Sequence, residues 1–221
     1  SLREKIRNKD YKDIENWDVG DVTDMSNLFS NRLTIDFNHD ISNWDVSNVT
    51  DMSFMFSNCY NFNQDIGNWN ISNVTNMSLM FSKCYMFDQY IGNWNVGKVT
   101  NMSKMFYKCH NFNQDIGDWD ISNVTNMSFM FYNCKIFDQY IGNWNVSNVT
   151  DMCCIFCNCY KFNKNIKIWN ISEKTNSINI FSRTYWSLTN FKHYDNIKIS
   201  YKCSSDNNLF LSYKQLLYKS L

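Results

Sequence analysis

The most reactive side chains in the sequence fall together at Cys153, Cys154, Cys157 and Cys159. The string CCxxCxC contains a CxxC, a spacing at which thiolates bind zinc. Cys153 and Cys157, four residues apart, would share one face of a helix and are the candidate metal ligands. The chain carries internal copies of this segment, and they blunt the case. Cys153 stands where other copies have Ser, and Cys154 falls in a column holding Phe54, Leu79 and Lys104. Cys157 replaces Ser or Tyr, while Cys159 belongs to a column that is Cys in copy after copy. The favoured reading is of ordinary thiols in a reducing compartment, with no cofactor; a metal- or thiol-dependent protein is the alternative.

That Cys column runs through Cys59, Cys84, Cys109, Cys134 and Cys159, one per 25 residues. A disulfide or metal ladder competes here with a row of small buried hydrophobes. Equivalent atoms on stacked helices would lie ~8–10 Å apart, beyond the reach of a disulfide, so the buried row is expected. Asp or Asn follows each Trp, at Asp18, Asp45, Asn70, Asn95, Asp120, Asn145 and Asn170. Stacked oxygens could bind calcium. Most of these are neutral amides, however, and amides bonded from copy to copy account for the column. The Thr column at Thr23, Thr50, Thr75, Thr100, Thr125, Thr150 and Thr175 reads as helix N-caps rather than an ice-binding row. His39, His110 and His193 occupy unrelated registers, and no Walker loop, GxSxG or HExxH occurs. The expectation is a protein without enzymatic activity.

A repeat must position all of these side chains. Trp recurs at 17, 44, 69, 94, 119, 144 and 169, spaced by 27 and then by 25 residues. A fixed period in the range of 20–50 residues marks a repeat array. One copy is shown by Ile66, Trp69, Ile71, Val74, Thr75, Met77, Met80, Phe81, Cys84 and Phe87. A fifty-residue doublet is superimposed, FNQDI at Phe62 and Phe112 alternating with FDQYI at Phe87 and Phe137. Trp69 and Ile71 alternate as in a half-buried strand, whereas Met77, Met80, Phe81 and Cys84 follow i, i+3, i+4, i+7, one face of a short helix. Val74 would staple onto the fourth helical position, occupied by Phe54, Leu79 or Phe129.

The expected fold is α/β: a right-handed solenoid like that of leucine-rich repeats, with about seven strand–short-helix coils. Strands ~4.8 Å apart and helices ~8–10 Å apart would curve it. The Trp, Met and Phe columns form its core. Residues 1–16 are read as an N-terminal helical cap and 17–171 as the solenoid. Residues 172–221 are read as a degenerate last coil and C-terminal cap, ending in a helix near residues 212–221, because terminal repeats deviate.

The string NWNISNVTNMSLMFSKC and its copies resemble the repeat of the BspA-type leucine-rich-repeat surface proteins. The nearest form is the 25-residue W-[DN]-[VI]-S-N-V-T-[ND]-M-S-x-M-F variant of mycoplasma surface lipoproteins and of large DNA viruses of protists. The resemblance covers roughly residues 14–171. It implies a right-handed leucine-rich-repeat solenoid acting in adhesion or protein binding, with no catalytic residues to carry over.

Length and composition set the remaining bounds. In 221 residues, 21 Lys+Arg balance 21 Asp+Glu, which argues against a nucleic-acid partner. With 44% hydrophobic and 17% aromatic residues a core is affordable, and no run reaches the ~18 apolar residues of a membrane helix. The charged start and the unpaired look of the cysteines favour an intracellular, bacterial or viral setting, with the cell surface implied only by the resemblance. NVT and NMS sequons sit one repeat apart, too close for bulky glycans. A monomer with a protein partner is expected. If repeating columns build the scaffold, binding belongs to the columns that vary: Lys104, Tyr107, Lys108, His110, Tyr132 and Lys135, which mix Tyr rings with positive charge. The other reading of those columns is a passive repeat expansion with no dedicated ligand.

Overall fold

The computed structural model describes residues 1–30, 34 and 36–184. The expected C-terminal helix, His193 and Cys203 lie outside the described residues. The chain opens with helix α1 (Leu2–Arg7), whose N-cap Ser1 accepts from the Glu4 amide. A 3-10 turn follows at Ile14–Asn16. Ile6 and Ile14 are buried, and Arg3 reaches the Ser26 and Asp24 carbonyls at 2.7 and 3.2 Å, fastening α1 to the first coil.

Beyond this point the backbone is organised by bonds between successive coils. Asp24, Asp51, Asn76, Asn101, Asn126, Asp151 and Asn176 form a chain of parallel bridges, each to the equivalent residue of the next coil. Around Asn76 the amides divide into two sets. Those of Met77, Leu79, Phe81 and Lys83 donate to Asn101, Ser103, Met105 and Tyr107 of the next coil at 2.7–2.9 Å. Those of Met80, Ser82 and Cys84 close tight turns onto Met77, Leu79 and Phe81 at 2.9–3.2 Å. Neighbouring coils repeat the arrangement, so almost every amide of this segment has a partner without a helix or an extended sheet.

The segment expected to be helical is therefore a run of turns. Among the described residues, α1 is the only α-helix. An α-helix needs φ near −63° at every residue. Leu79 instead has φ 56° and Lys83 φ 63°, with the same left-handed values at Phe54, Lys104, Phe129 and Cys154. The turns still bring Met77, Met80, Phe81 and Cys84 to one side, all fully buried, which is why the spacing imitates a helix face. Nor is there a strand at Trp69 and Ile71, where turns close from Trp69 to Ile66 and from Val74 to Ile71. The pairing lies at Asn76 instead.

The capping expectation fails with the helix. The Thr75 hydroxyl donates to the Thr50 carbonyl at 3.2 Å, beside the Thr75 amide at 2.8 Å, and Thr100 and Thr125 repeat this on the coils before them. The next residue supplies the local cap: Asn76 Oδ1 accepts from the Ser78 amide. The staple is also absent, since Val74 is fully buried whereas Phe54, in the column of Leu79, is 36% exposed.

The core is built of columns. Phe56, Phe81, Phe106 and Phe131 stack with centroids 5.7 Å apart, and each pairs within its coil with Phe62, Phe87, Phe112 or Phe137 at 3.9–4.2 Å. Trp69, Trp94, Trp119 and Trp144 donate Nε1–H to Ile41, Ile66, Ile91 and Ile116 of the preceding coil at 3.1–3.2 Å. Burying a ring of this size contributes roughly 4–6 kcal/mol of gross transfer free energy, and the bond satisfies the one polar atom buried with it. On the turn side, Tyr60 and Tyr85 stack at 4.9 Å, as do Tyr107 and Tyr132. The 8–10 Å separation expected of helices does not occur there.

Candidate functional site

The six residues singled out by column variation lie on two neighbouring coils, and the structure links them. The rings of Tyr107 and Tyr132 stack at 4.9 Å, and Lys108 Nζ lies 5.3 Å from the Tyr107 ring centre. Lys104 Nζ lies 5.4 Å from the ring of Phe129, which itself touches Tyr132. His110 stacks on Tyr85 at 4.8 Å and meets Asn133 Nδ2 through Nε2 at 3.2 Å. Partial burial lowers the His110 pKa, with Lys135 and then Lys108 acting in the same direction. These effects favour the neutral ring, one nitrogen of which can accept a hydrogen bond. Tyr132 is pushed the other way, first by burial and then by the Cys157 thiol and Tyr107.

An open groove of about 560 Å³ runs across this side, lined in part by Phe54, Leu79, Lys83, Lys104, Tyr107 and Phe129. Its lining includes no Asp or Glu. Lys104 and Tyr107 belong to it; Lys108, His110, Tyr132 and Lys135 are not among its lining residues. The residues at its floor hold their left-handed φ because their amides bond to the next coil. That constraint fixes where these side chains leave the backbone.

The cysteines separate into two kinds. Cys84, Cys109, Cys134 and Cys159 are fully buried, and each donates Sγ–H to a Phe carbonyl of the preceding coil at 2.6–3.1 Å. Burial pushes their pKa values well above the ordinary thiol range. Thr34 and Thr184 occupy the same column in the outer coils, and their hydroxyls donate to Phe29 and Phe181. The column is therefore a row of carbonyl-bonded thiols, a role the sequence reading did not assign. Cys153 and Cys157, the candidate metal pair, behave differently from each other. Burial and then Asp151 push Cys153 up to about 12, whereas Cys157 is lowered to about 7, chiefly by a hydrogen bond with the Cys154 thiol. Among the described residues no group of three or more His, Cys, Asp or Glu is arranged to hold a metal ion.

The sequence of the chain matches the family described as "Mycoplasma protein of unknown function, DUF285", in two overlapping stretches, residues 2–114 and 87–196. The chain belongs to this family. Two successive matches in one chain fit a family of repeat proteins, and the 25-residue ladder is the structural form of that repetition here. No curated protein and no solved structure matches the chain. No helix among the described residues is long and apolar enough to cross a membrane.

Sequence reasoning misplaced the bonds between coils. The residues after Trp serve locally: Asn70 and Asp120 accept from the amides of Ser72 and Ser122 two positions on. The bonds from coil to coil come from other columns. Asn73, Asn123 and Asn148 donate Nδ2–H to Ser47, Gly97 and Ser122 carbonyls. Gln64, Gln89, Gln114 and Gln139 donate Nε2–H to the carbonyls of Asn38, Asn63, Asp88 and Asn113. The signal was present as the recurring Q of FNQDI and FDQYI and the recurring N of the sequon-like N-V-T.

Proposed function

We propose that the chain is a non-enzymatic, leucine-rich-repeat-type scaffold that binds a protein partner through its turn side, taking an acidic segment of that partner. The observation that carries this reading is the groove itself: Tyr107, Phe129, Lys83 and Lys104 at a surface lined by no carboxylate, with Tyr132 stacked on Tyr107 beside it. Tyr and neighbouring apolar side chains supply contact area at low entropic cost, and positive charge selects the sign of the ligand. The resemblance of the repeat to BspA-type surface proteins supports a binding or adhesive role and a right-handed course of the coils. Membership of a repeat family supports a scaffold.

A fluorescein-labelled peptide of Glu and Leu residues, with its Lys-and-Leu counterpart, tests this by anisotropy. The parent is expected to bind the acidic peptide, more weakly as salt is raised. A variant carrying Lys104→Ser, Tyr107→Ser, Tyr132→Ser and Lys135→Ser, with unchanged circular dichroism, is expected to lose at least tenfold. Equal binding of the two peptides, or equal binding by parent and variant, would overturn the assignment of this face.

A further inference from the structure

Cys154 and Cys157 lie in two columns that both open onto the turn side, those of Lys104 and Tyr107 one coil pair earlier. The Cys157 amide donates to the Cys154 carbonyl at 3.1 Å, so the two residues are the ends of one tight turn. Turn ends lie within ~7 Å at Cα, which overlaps the ~4.4–6.8 Å that a disulfide requires. The two thiols already share a hydrogen bond. Ser182 also hydrogen-bonds Cys157, and Arg183 adds positive charge beside it, both from the following coil. The Tyr132 ring lies on the preceding coil. In contrast with the column thiols, Cys154 is half-buried and Cys157 retains 8% exposure.

We propose that Cys154 and Cys157 form a peroxide-oxidisable dithiol, Cys157 the attacking thiolate and Cys154 the resolving thiol. The Cys157 sulfur attacks one oxygen of a hydroperoxide, the O–O bond breaks, and a sulfenic acid forms as hydroxide or alcohol leaves. The Cys154 thiol then attacks the sulfenic sulfur, its proton goes to the departing hydroxyl, and water leaves. With hydrogen peroxide the balance is two thiols and one peroxide to one disulfide and two waters. Cys153 also hydrogen-bonds Cys154, besides Asp151, but its Cα is only ~3.8 Å from that of Cys154, closer than a disulfide spans. This site is independent of the acidic-partner reading and stands or falls separately.

The full chain is treated with hydrogen peroxide, blocked with N-ethylmaleimide and mapped by peptide mass spectrometry. In the parent, Cys154 and Cys157 should become protected together, joined in one peptide, and dithiothreitol should restore both. Cys154→Ser should leave a Cys157 sulfenic acid that dimedone traps, and Cys157→Ser should leave Cys154 open to maleimide. A disulfide involving Cys153, a dimedone adduct on Cys157 in the parent, or unchanged maleimide labelling of all three would overturn the proposal. Because the parent map alone decides between these outcomes, it holds even if a variant folds poorly.

Discussion

Cys109 and Cys157 each end a tight turn, but in different columns of the repeat, and their chemistry diverges. Cys109 points inward, donates to the Phe81 carbonyl at 2.9 Å and shares that oxygen with the Cys84 amide. Burial holds its thiol protonated at any physiological pH. Cys157 points toward the turn side, meets a second thiol, a hydroxyl and a guanidinium, and is lowered to about 7. The residue type is the same; burial and partners decide whether it is packing material or a nucleophile.

The sharpest way to press this contrast is to truncate both kinds. Cys109→Ala removes a buried bond and opens a small void, and should cost about 1–2 kcal/mol in urea unfolding. Cys154→Ala on the turn side should cost under about 0.5 kcal/mol. Equal costs would erase the distinction. A second contrast is kinetic. In native protein, alkylation of Cys157 by iodoacetamide should rise through a midpoint near pH 7, while Cys84, Cys109 and Cys134 stay unlabelled until the chain is unfolded. Linkage fixes the sign of the accompanying stability change. The folded thiol releases its proton near pH 7 and the unfolded one only near 9, so the contribution is complete above 9 and lost as pH falls through 7. Arg183→Gln should shift the alkylation midpoint upward. The smallest effect concerns the backbone common to both. Lys83 holds φ 63° in a column where Asn58, Asn133 and Asn158 hold the same conformation, and Asn tolerates it best after Gly. Lys83→Asn should therefore raise stability, by about 0.5 kcal/mol, read as a small rise in Tm.

The core was legible because Trp, Met, Phe and Cys recur at fixed intervals, and those columns are buried, Trp17 at the start only partly. The helix was misread because i, i+3, i+4, i+7 describes which side chains face inward, not how the backbone carries them. Composition held a warning: T-N-M-S-L-M-F-S-K-C and its copies contain no Ala, Glu or Gln and many Asn and Ser, poor helix formers. Asn27, Asn58 and Asn133 at the left-handed positions were a second one. The variable columns led to Lys104, Tyr107 and His110, whose contacts the sequence could not supply, because stacking across coils depends on the register of the turns. The Cys154–Cys157 pair was legible as a CxxC, but treating 153 and 157 as helix neighbours turned the choice of partners to those two.

The amides that run from one coil into the next have a consequence for heredity as well as for form. Asn63, Asp88, Asn113 and Asp138 each accept, through their side chains, the amide of the residue 25 positions on. Excising residues 88–137 would bring Phe87 directly before Asp138 and set Asn63 against Asp138 just as it now meets Asp88. The joint at the seam would be of the kind already present, with Cys157 in place of Tyr107 opposite Lys83. A gene encoding such a chain can lengthen or shorten by whole doublets through unequal recombination, and each product inherits joints that are already matched.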